Sequence, residues 1–206
     1  MFGKKQFFLF VCTMLLITSC TQKNANNNNT SSGVQNINTQ QISDFSPEPS
    51  PSPPNDGLLG SYVTNILDRE KNRVNNIKLA SQAIDGYTLQ PGEIFSFNGA
   101  LGKRKPEKGY KKARIILNGK SGEGTGGGIC QVSSTLFNAV QLAGLEVIER
   151  HPHDRDVHYV PRGQDATVVY GDKDFKFKNT KKYPVEIRTT VENNKVHISI
   201  YEVKQP

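Results

Sequence analysis

Gly126-Gly127-Gly128-Ile129-Cys130-Gln131-Val132-Ser133-Ser134-Thr135-Leu136-Phe137 is the stretch on which the reading of this chain turns. After the glycines, Val132, Leu136, Ala139, Val140 and Ala143 recur at helical spacing. Gly144 is a natural stop for that helix. The glycines therefore form a loop that opens into a helix, and Cys130 falls in its first turn. Unpaired backbone N–H groups and the helix dipole favour a thiolate there. Gly126, Gly127 and Gly128 keep side chains out of the way, so a carbonyl group can approach and turn N–H groups can face a developing oxyanion. Gly126, Gly127, Gly128, Gln131 and Ser133 are read as substrate-binding and Cys130 as a nucleophile, the alternative being a buried structural cysteine. No Gly-Lys-Ser/Thr follows the glycines, so this is not a phosphate loop.

A cysteine nucleophile needs a base. Of the 4 histidines, His197 alternates with Val196 and Ile198 in a strand pattern and is expected to face solvent. His158, near Pro161, is ambiguous. His151 and His153 stand where a strand beginning at Leu145 runs out, and either could reach Cys130. Asp165 is a candidate to orient the histidine, a cap or turn role being the alternative. One cysteine and two close histidines offer no closed zinc set. No metal and no cofactor are expected.

Outward from this centre, the pattern gives an α+β fold: two main helices packed on a largely antiparallel sheet, as a single domain. Asn72 to Ile84 is helical in spacing, with Gly86 after it. Glu93 to Phe97, Ala113 to Leu117, Leu145 to Glu149 and Thr167 to Tyr170 read as strands. Phe175 and Phe177 alternate with lysines in another. Val185 to Val191 and Val196 to Ile200 read as a hairpin across Asn193-Asn194, and Asn118-Gly119 marks a second tight turn.

The chain has three zones. Residues 1–20 read as an export signal: Lys4 and Lys5, then an apolar stretch from Phe7 to Ile17, then Leu16-Ile17-Thr18-Ser19-Cys20. That ending resembles a bacterial lipoprotein signal, in which Cys20 is lipidated and the chain sits on the outer face of the cytoplasmic membrane, facing the cell wall. Of the 3 cysteines, Cys12 leaves with the signal and Cys20 carries lipid, so Cys130 is left without a disulfide partner. Residues 21–56, rich in Asn, Ser and Pro, bury too little apolar surface to fold. As an extended spacer they reach on the order of 110 Å at roughly 3.1 Å per residue. Residues 57–206 form the domain. It carries the whole net charge of +7, because Lys4, Lys5 and Lys23 are matched by Asp44, Glu48 and Asp56 outside it. The densest basic patch is Lys103, Arg104, Lys105, Lys108, Lys111, Lys112 and Arg114. Outside the cytoplasm such a patch favours anionic wall polymers or lipid headgroups over nucleic acid, a solvated loop being the alternative.

One set of segments carries a further resemblance. These are Asn72-Arg73-Val74-Asn75-Asn76-Ile77, Pro91-Gly92-Glu93-Ile94-Phe95-Ser96-Phe97-Asn98, Gly109-Tyr110 and Gly126 to Asn138. With them go Ala143-Gly144-Leu145-Glu146, Glu149-Arg150-His151, Tyr159-Val160-Pro161, Asp165-Ala166-Thr167-Val168 and Tyr170-Gly171. Together they resemble a VanW-like domain across nearly all of the globular part. Phe137 stands where many relatives have Tyr, and Asp154 follows His153 where Ser is common. The resemblance implies a link to glycopeptide resistance and an L,D-transpeptidase that cross-links peptidoglycan stem peptides through a thioester on Cys130. It also implies a site for a stem carboxylate, for which Arg114, Arg150 or Arg155 is a candidate, Arg150 being counted with the substrate-binding residues. A cysteine peptidase or amidase on the same stems, and a non-catalytic wall- or glycopeptide-binding lipoprotein, are the alternative functions.

Overall fold

A computed structural model describes residues 57–117 and 120–204. The signal segment, Cys20, the spacer and the Asn118-Gly119 turn lie outside the described residues. In chain order the elements are β1 (Leu58–Asn65), α1 (Lys71–Gln82), β2 (Tyr87–Leu89), β3 (Ile94–Ser96), α2 (Phe97–Leu101), β4 (Lys112–Leu117) and β5 (Lys120–Thr125). Then follow α3 (Ile129–Leu142), β6 (Glu146–Glu149), β7 (Lys176–Lys178), β8 (Val185–Glu192) and β9 (Lys195–Glu202). The described residues are α+β.

The strands divide into three antiparallel groups: β1-β9-β8-β2, β3-β7-β6 and the β4-β5 hairpin. The β8-β9 register sets Val191 opposite Val196 and Glu192 opposite Lys195. Asn193 and Asn194 close the turn at φ 50° and 57°, the conformation that a two-residue hairpin requires at both positions and that Asn tolerates. Val185, Ile187, Val196, Ile198 and Ile200 are fully buried. The period of two sends them all to one face, and α1 and α3 cover it: α3 lies over β1 and β9, α1 over β8.

Helix α1 begins because the Glu70 carboxylate accepts from Asn72 N and Arg73 N, both at 2.9 Å, satisfying two of the donors a helix start leaves open. Helix α3 is buried from Gln131 to Val140 without a break, so it is a central helix and not an amphipathic one. Its polar residues are satisfied internally. Ser134 Oγ donates to Cys130 O at 2.7 Å and Thr135 Oγ1 to Gln131 O at 2.7 Å, the pattern by which hydroxyls bond the preceding turn. Close approach is secured at Gly60 on β1, where a methyl group would stand 2.4 Å from Ala143 N and 2.6 Å from Ala139 O. The β3-β7-β6 sheet adds an aromatic strip: Phe95, Phe97, Phe175 and Phe177 are fully buried, and Phe175 meets Phe137 of α3 edge-on at 5.8 Å.

The elements depart from the sequence reading in four places. Phe97 opens α2 instead of ending a strand, because Ser96 caps that helix through Gly99 N at 2.9 Å. β1, β2 and β5 went unread. Thr167 to Tyr170 is not a strand: only Val169 forms a bridge, with Lys173. The extended segment spends its hydrogen bonds elsewhere, with Ala166 N on Ser134 Oγ at 2.9 Å and Thr167 N on His151 O at 2.7 Å. Finally, the antiparallel sheet is three sheets.

Candidate active site

The loop before α3 is held from two sides. Gly126 and Gly128 have φ of 90° and 106°, backbone that a side-chain-bearing residue rarely adopts. Gly126 N donates to Lys111 O at 3.0 Å. Asn76 of α1, fully buried, staples the loop: its Nδ2 donates to Gly127 O at 3.0 Å and to Lys111 O at 2.9 Å, while its Oδ1 accepts from Lys111 N at 2.8 Å. Arg73, one turn earlier on α1, rests its Cγ where a methyl at Gly128 would stand, 2.9 Å away. Cys130 emerges from this frame half-buried.

The segment after β6 supplies the partner. Asp165 accepts from His153 twice, from the backbone N at 2.6 Å and from ring Nδ1 at 2.5 Å. Both side chains are largely shielded, 7% exposed for His153 and 9% for Asp165. With Nδ1 committed to Asp165, Nε2 is the ring nitrogen left to serve the sulfur, and His153 lies near enough to Cys130 to lower the thiol pKa. Arg150 fixes Asp165 from behind. Its Nε donates to Asp165 O at 2.6 Å and its Nη2 to Asp165 Oδ1 at 3.0 Å and Gly163 O at 2.9 Å. Its guanidinium stacks 5.2 Å from the Phe137 ring centre.

The charges of these groups depend on one another. Burial pushes the Cys130 thiol up, but the hydrogen bond and charge of His153, a backbone hydrogen bond from Val168 and the charge of Arg104 together bring it below its ordinary value. In the thiol form Sγ also approaches Val168 O, at 3.7 Å. Burial pushes His153 down, yet its bonds and attraction to Cys130 and Asp165 leave it raised. Burial likewise pushes Asp165 up, and the His153 backbone and ring bonds more than reverse it. Tyr159, whose ring meets His153 edge-on at 6.5 Å, is raised by burial and by the nearby sulfur, so it stays a neutral phenol. Lowered thiol, raised imidazole and ionised carboxylate are the charge pattern of an activated nucleophile and its base.

His151 goes elsewhere. Its Nε2 meets Glu149 Oε1 at 3.0 Å, and Glu149, held down to about 2 by Lys176 and then His151, forms an ion pair with Lys176 at 2.8 Å. Three residues read as substrate-binding serve the frame instead. Gln131 is 1% exposed and donates to Thr64 Oγ1 at 3.1 Å and Asn65 O at 3.0 Å. Ser133, fully buried, donates to Ala166 O at 2.6 Å. Arg150 is committed to the Asp165 loop. Arg155 reaches Ser121 Oγ at 3.4 Å. Asn76, Arg73, Arg104 and Tyr159 were missed as site residues. Asn76 had a signal, a polar residue at the helical spacing of buried positions in α1.

Two clefts on the described surface lie beside these residues. One of about 460 Å³ is lined by Asn98, Gly102, Glu149, Tyr170 and Asp174 among others, and does not include Cys130 or His153. The smaller, about 260 Å³, opens on His153 and Asp165 and is bordered by Arg155, Pro161 and Arg162; Cys130 does not line it either. Among the described residues no group of three His, Cys, Asp or Glu side chains is placed to hold a metal ion.

Fold and site together define an α+β domain in which Cys130, at the start of a buried helix, shares its surroundings with His153 and Asp165. A family model described as VanW like protein matches residues 72–201, and the chain belongs to that family. It is 50% identical over 143 residues to the uncharacterised protein YoaR of Bacillus subtilis, a match covering 69% of this chain and 47% of that one. It is 32% identical over 142 residues to the vancomycin B-type resistance protein VanW of Enterococcus faecalis, covering 66% of this chain and 52% of the relative. The aligned region thus spans about half the length of these relatives. No solved structure matches the chain.

Proposed function

We propose that this protein is a cysteine-dependent peptidoglycan L,D-transpeptidase, anchored through lipid on Cys20 to the outer face of the bacterial cytoplasmic membrane. The observation that carries the reading is the relay itself: Cys130 at a helix start, His153 against it, Asp165 fixing the His153 tautomer. In the first step the Cys130 thiolate attacks the carbonyl that precedes a terminal D-Ala of one stem. The C–N bond breaks, the D-Ala amine leaves with the proton from His153 Nε2, and the stem stays on sulfur as a thioester. In the second step a side-chain amine of another stem attacks. His153 takes its proton, the C–S bond breaks and the thiolate returns. No ATP is consumed, because the thioester keeps the free energy of the old amide until the new one forms. Membership of a family that includes a vancomycin B-type resistance protein supports a role at the cell wall, and the basic segment from Lys103 to Arg114 supports docking near anionic wall polymers. Among the described residues no helix is long and apolar enough to cross a membrane.

The test is to incubate the protein with a disaccharide tetrapeptide and resolve the products by mass spectrometry, with a sample alkylated at Cys130 beforehand as control. A cross-linked dimer that has lost one D-Ala, absent from the alkylated sample, is the expected result. Release of D-Ala without dimer would make the protein a hydrolase. Substrate that binds unchanged would make it a wall-peptide-binding protein.

A further inference from the structure

Arg104 lies between α2 and the 3-10 turn Pro106–Lys108. Its stem leans on the loop that delivers Cys130: Cγ and Cβ are 3.3 and 3.4 Å from where a methyl at Gly126 would stand. Nη1 donates to Asn98 Oδ1 at 2.6 Å and to Gly102 O at 3.2 Å, and the guanidinium sits 5.9 Å from the Phe97 ring centre. Asn98 is itself fixed, its N donating to Asp174 Oδ1 at 2.8 Å and its Nδ2 to Lys173 O at 2.9 Å. The other terminal nitrogen, Nη2, is buried without a hydrogen-bond partner.

A cation stripped of water on one nitrogen and given no bond in return is costly, and burial lowers the Arg104 pKa accordingly. What offsets this is nearby negative charge. The groups that face Arg104 are Tyr110, Cys130, Asp174 and Tyr170. Burial raises the Tyr110 phenol and keeps it neutral, and Tyr170 acts on Arg104 the least of the four. The Asp174 oxygens already accept from Ser96 Oγ, Asn98 N and Phe175 N. Cys130 and Asp174 are thus the acidic groups that offset the guanidinium charge, Cys130 the more strongly. Nη2 is shielded from solvent, so the negative charge that offsets it comes from inside the protein.

We propose that Arg104 is a positioning residue for Cys130, a fixed second cation that works with His153 to hold the sulfur as thiolate. The inference rests on the reading of Cys130 as nucleophile. The ionisable groups that act on Cys130 from the packed elements are His153 and Tyr159 on the segment after β6 and Arg104 on the segment after α2. Arg73 and Asp165 in turn act on Tyr159 through their charge. The two cations differ in kind: His153 loses its charge as pH rises, whereas Arg104 keeps it throughout.

The experiment is the pH profile of Cys130 alkylation by iodoacetamide in the full chain, with the site read by peptide mass spectrometry so that other thiols do not interfere. Arg104→Gln and Arg104→Met are expected to slow alkylation about tenfold on the acid side, the scale of one lost opposite charge. They should move the acid limb to higher pH and leave the alkaline plateau unchanged. Arg104→Met keeps the packing on Gly126 and Phe97 and serves if Arg104→Gln does not fold. Arg104→Lys keeps the charge, and its acid limb should stay close to wild type. An acid limb that does not move in folded Arg104→Gln or Arg104→Met overturns the proposal, as does a limb in Arg104→Lys that moves as far as in Arg104→Met. No cross-linked product from the wild-type chain, together with the expected move of the acid limb in Arg104→Gln and Arg104→Met, would instead count against transpeptidation and leave the Arg104 assignment standing.

Discussion

Replacing His153 with alanine is expected to lower turnover by about 10²–10⁴-fold, the span over which a positioned acid–base group contributes. His151→Ala should leave it within about threefold, as expected for a residue outside the proton path. The two histidines are separated by one proline in sequence, yet the fold sends them to different partners. His153 is pinned by Asp165 through both its backbone N and its ring Nδ1, and the ring is 7% exposed. His151 is 37% exposed and bonds Glu149. Loss of the His153 ring removes the proton acceptor for an attacking amine, the proton donor for the leaving amine, and one of the cations that lower the Cys130 thiol. Alkylation of Cys130 near neutral pH should therefore fall together with turnover. Equal effects from the two substitutions would break the assignment.

Gly127→Ala should damage stability and function together. A methyl there would lie 2.5 Å from Arg114 O and 2.7 Å from Ala113 O. Both contacts are backbone atoms of β4, so no side chain can swing aside. The loop or the strand must move, at a cost of roughly 1–3 kcal/mol, the usual range for overpacking a tight site. The loop also carries Cys130, and a misplacement of about 1 Å at a reacting group can cost ~10²-fold in rate. Urea unfolding and turnover would be measured on the same preparation. Gly122→Ala on the partner strand is the control, because a methyl there meets nothing within 4 Å, and surface changes of that kind stay within about 0.5 kcal/mol. A Gly127→Ala protein that is as stable and active as wild type would show that the loop does not rely on its contact with β4.

The sequence made the centre of this site readable because its signals are local. Three glycines followed by apolar residues at helical spacing place Cys130 in a first turn without knowledge of anything else. Asn193-Asn194 between alternating apolar runs places the β8-β9 hairpin for the same reason. What stayed hidden depends on partners distant in the chain. The choice between His151 and His153 is made by Asp165, twelve residues beyond His153, and no spacing rule selects it. Gln131 and Ser133 look like ligand-facing polar residues beside a nucleophile, but α3 is buried all round, so their bonds run to β1 and to Ala166. Strand β1 escaped because Gly60 and Ser61 interrupt its apolar alternation, and Gly60 is there for the approach of α3. Arg104 read as one member of a basic patch for anionic wall polymers or lipid headgroups, or of a solvated loop, since nothing local distinguishes it from Lys103 or Lys105. Only the fold turns it toward Phe97, Asn98 and the Gly126 loop.

The central claim is that Cys130 carries substrate covalently. The most direct measurement is intact-protein and peptide mass spectrometry of the wild-type chain mixed for short times with tetrapeptide stem and no acceptor. The account predicts an adduct on the peptide containing Cys130 whose added mass equals the stem minus its terminal D-Ala, removable by hydroxylamine, as expected of a thioester. Binding of the stem with no adduct on Cys130 at any time or pH would contradict it.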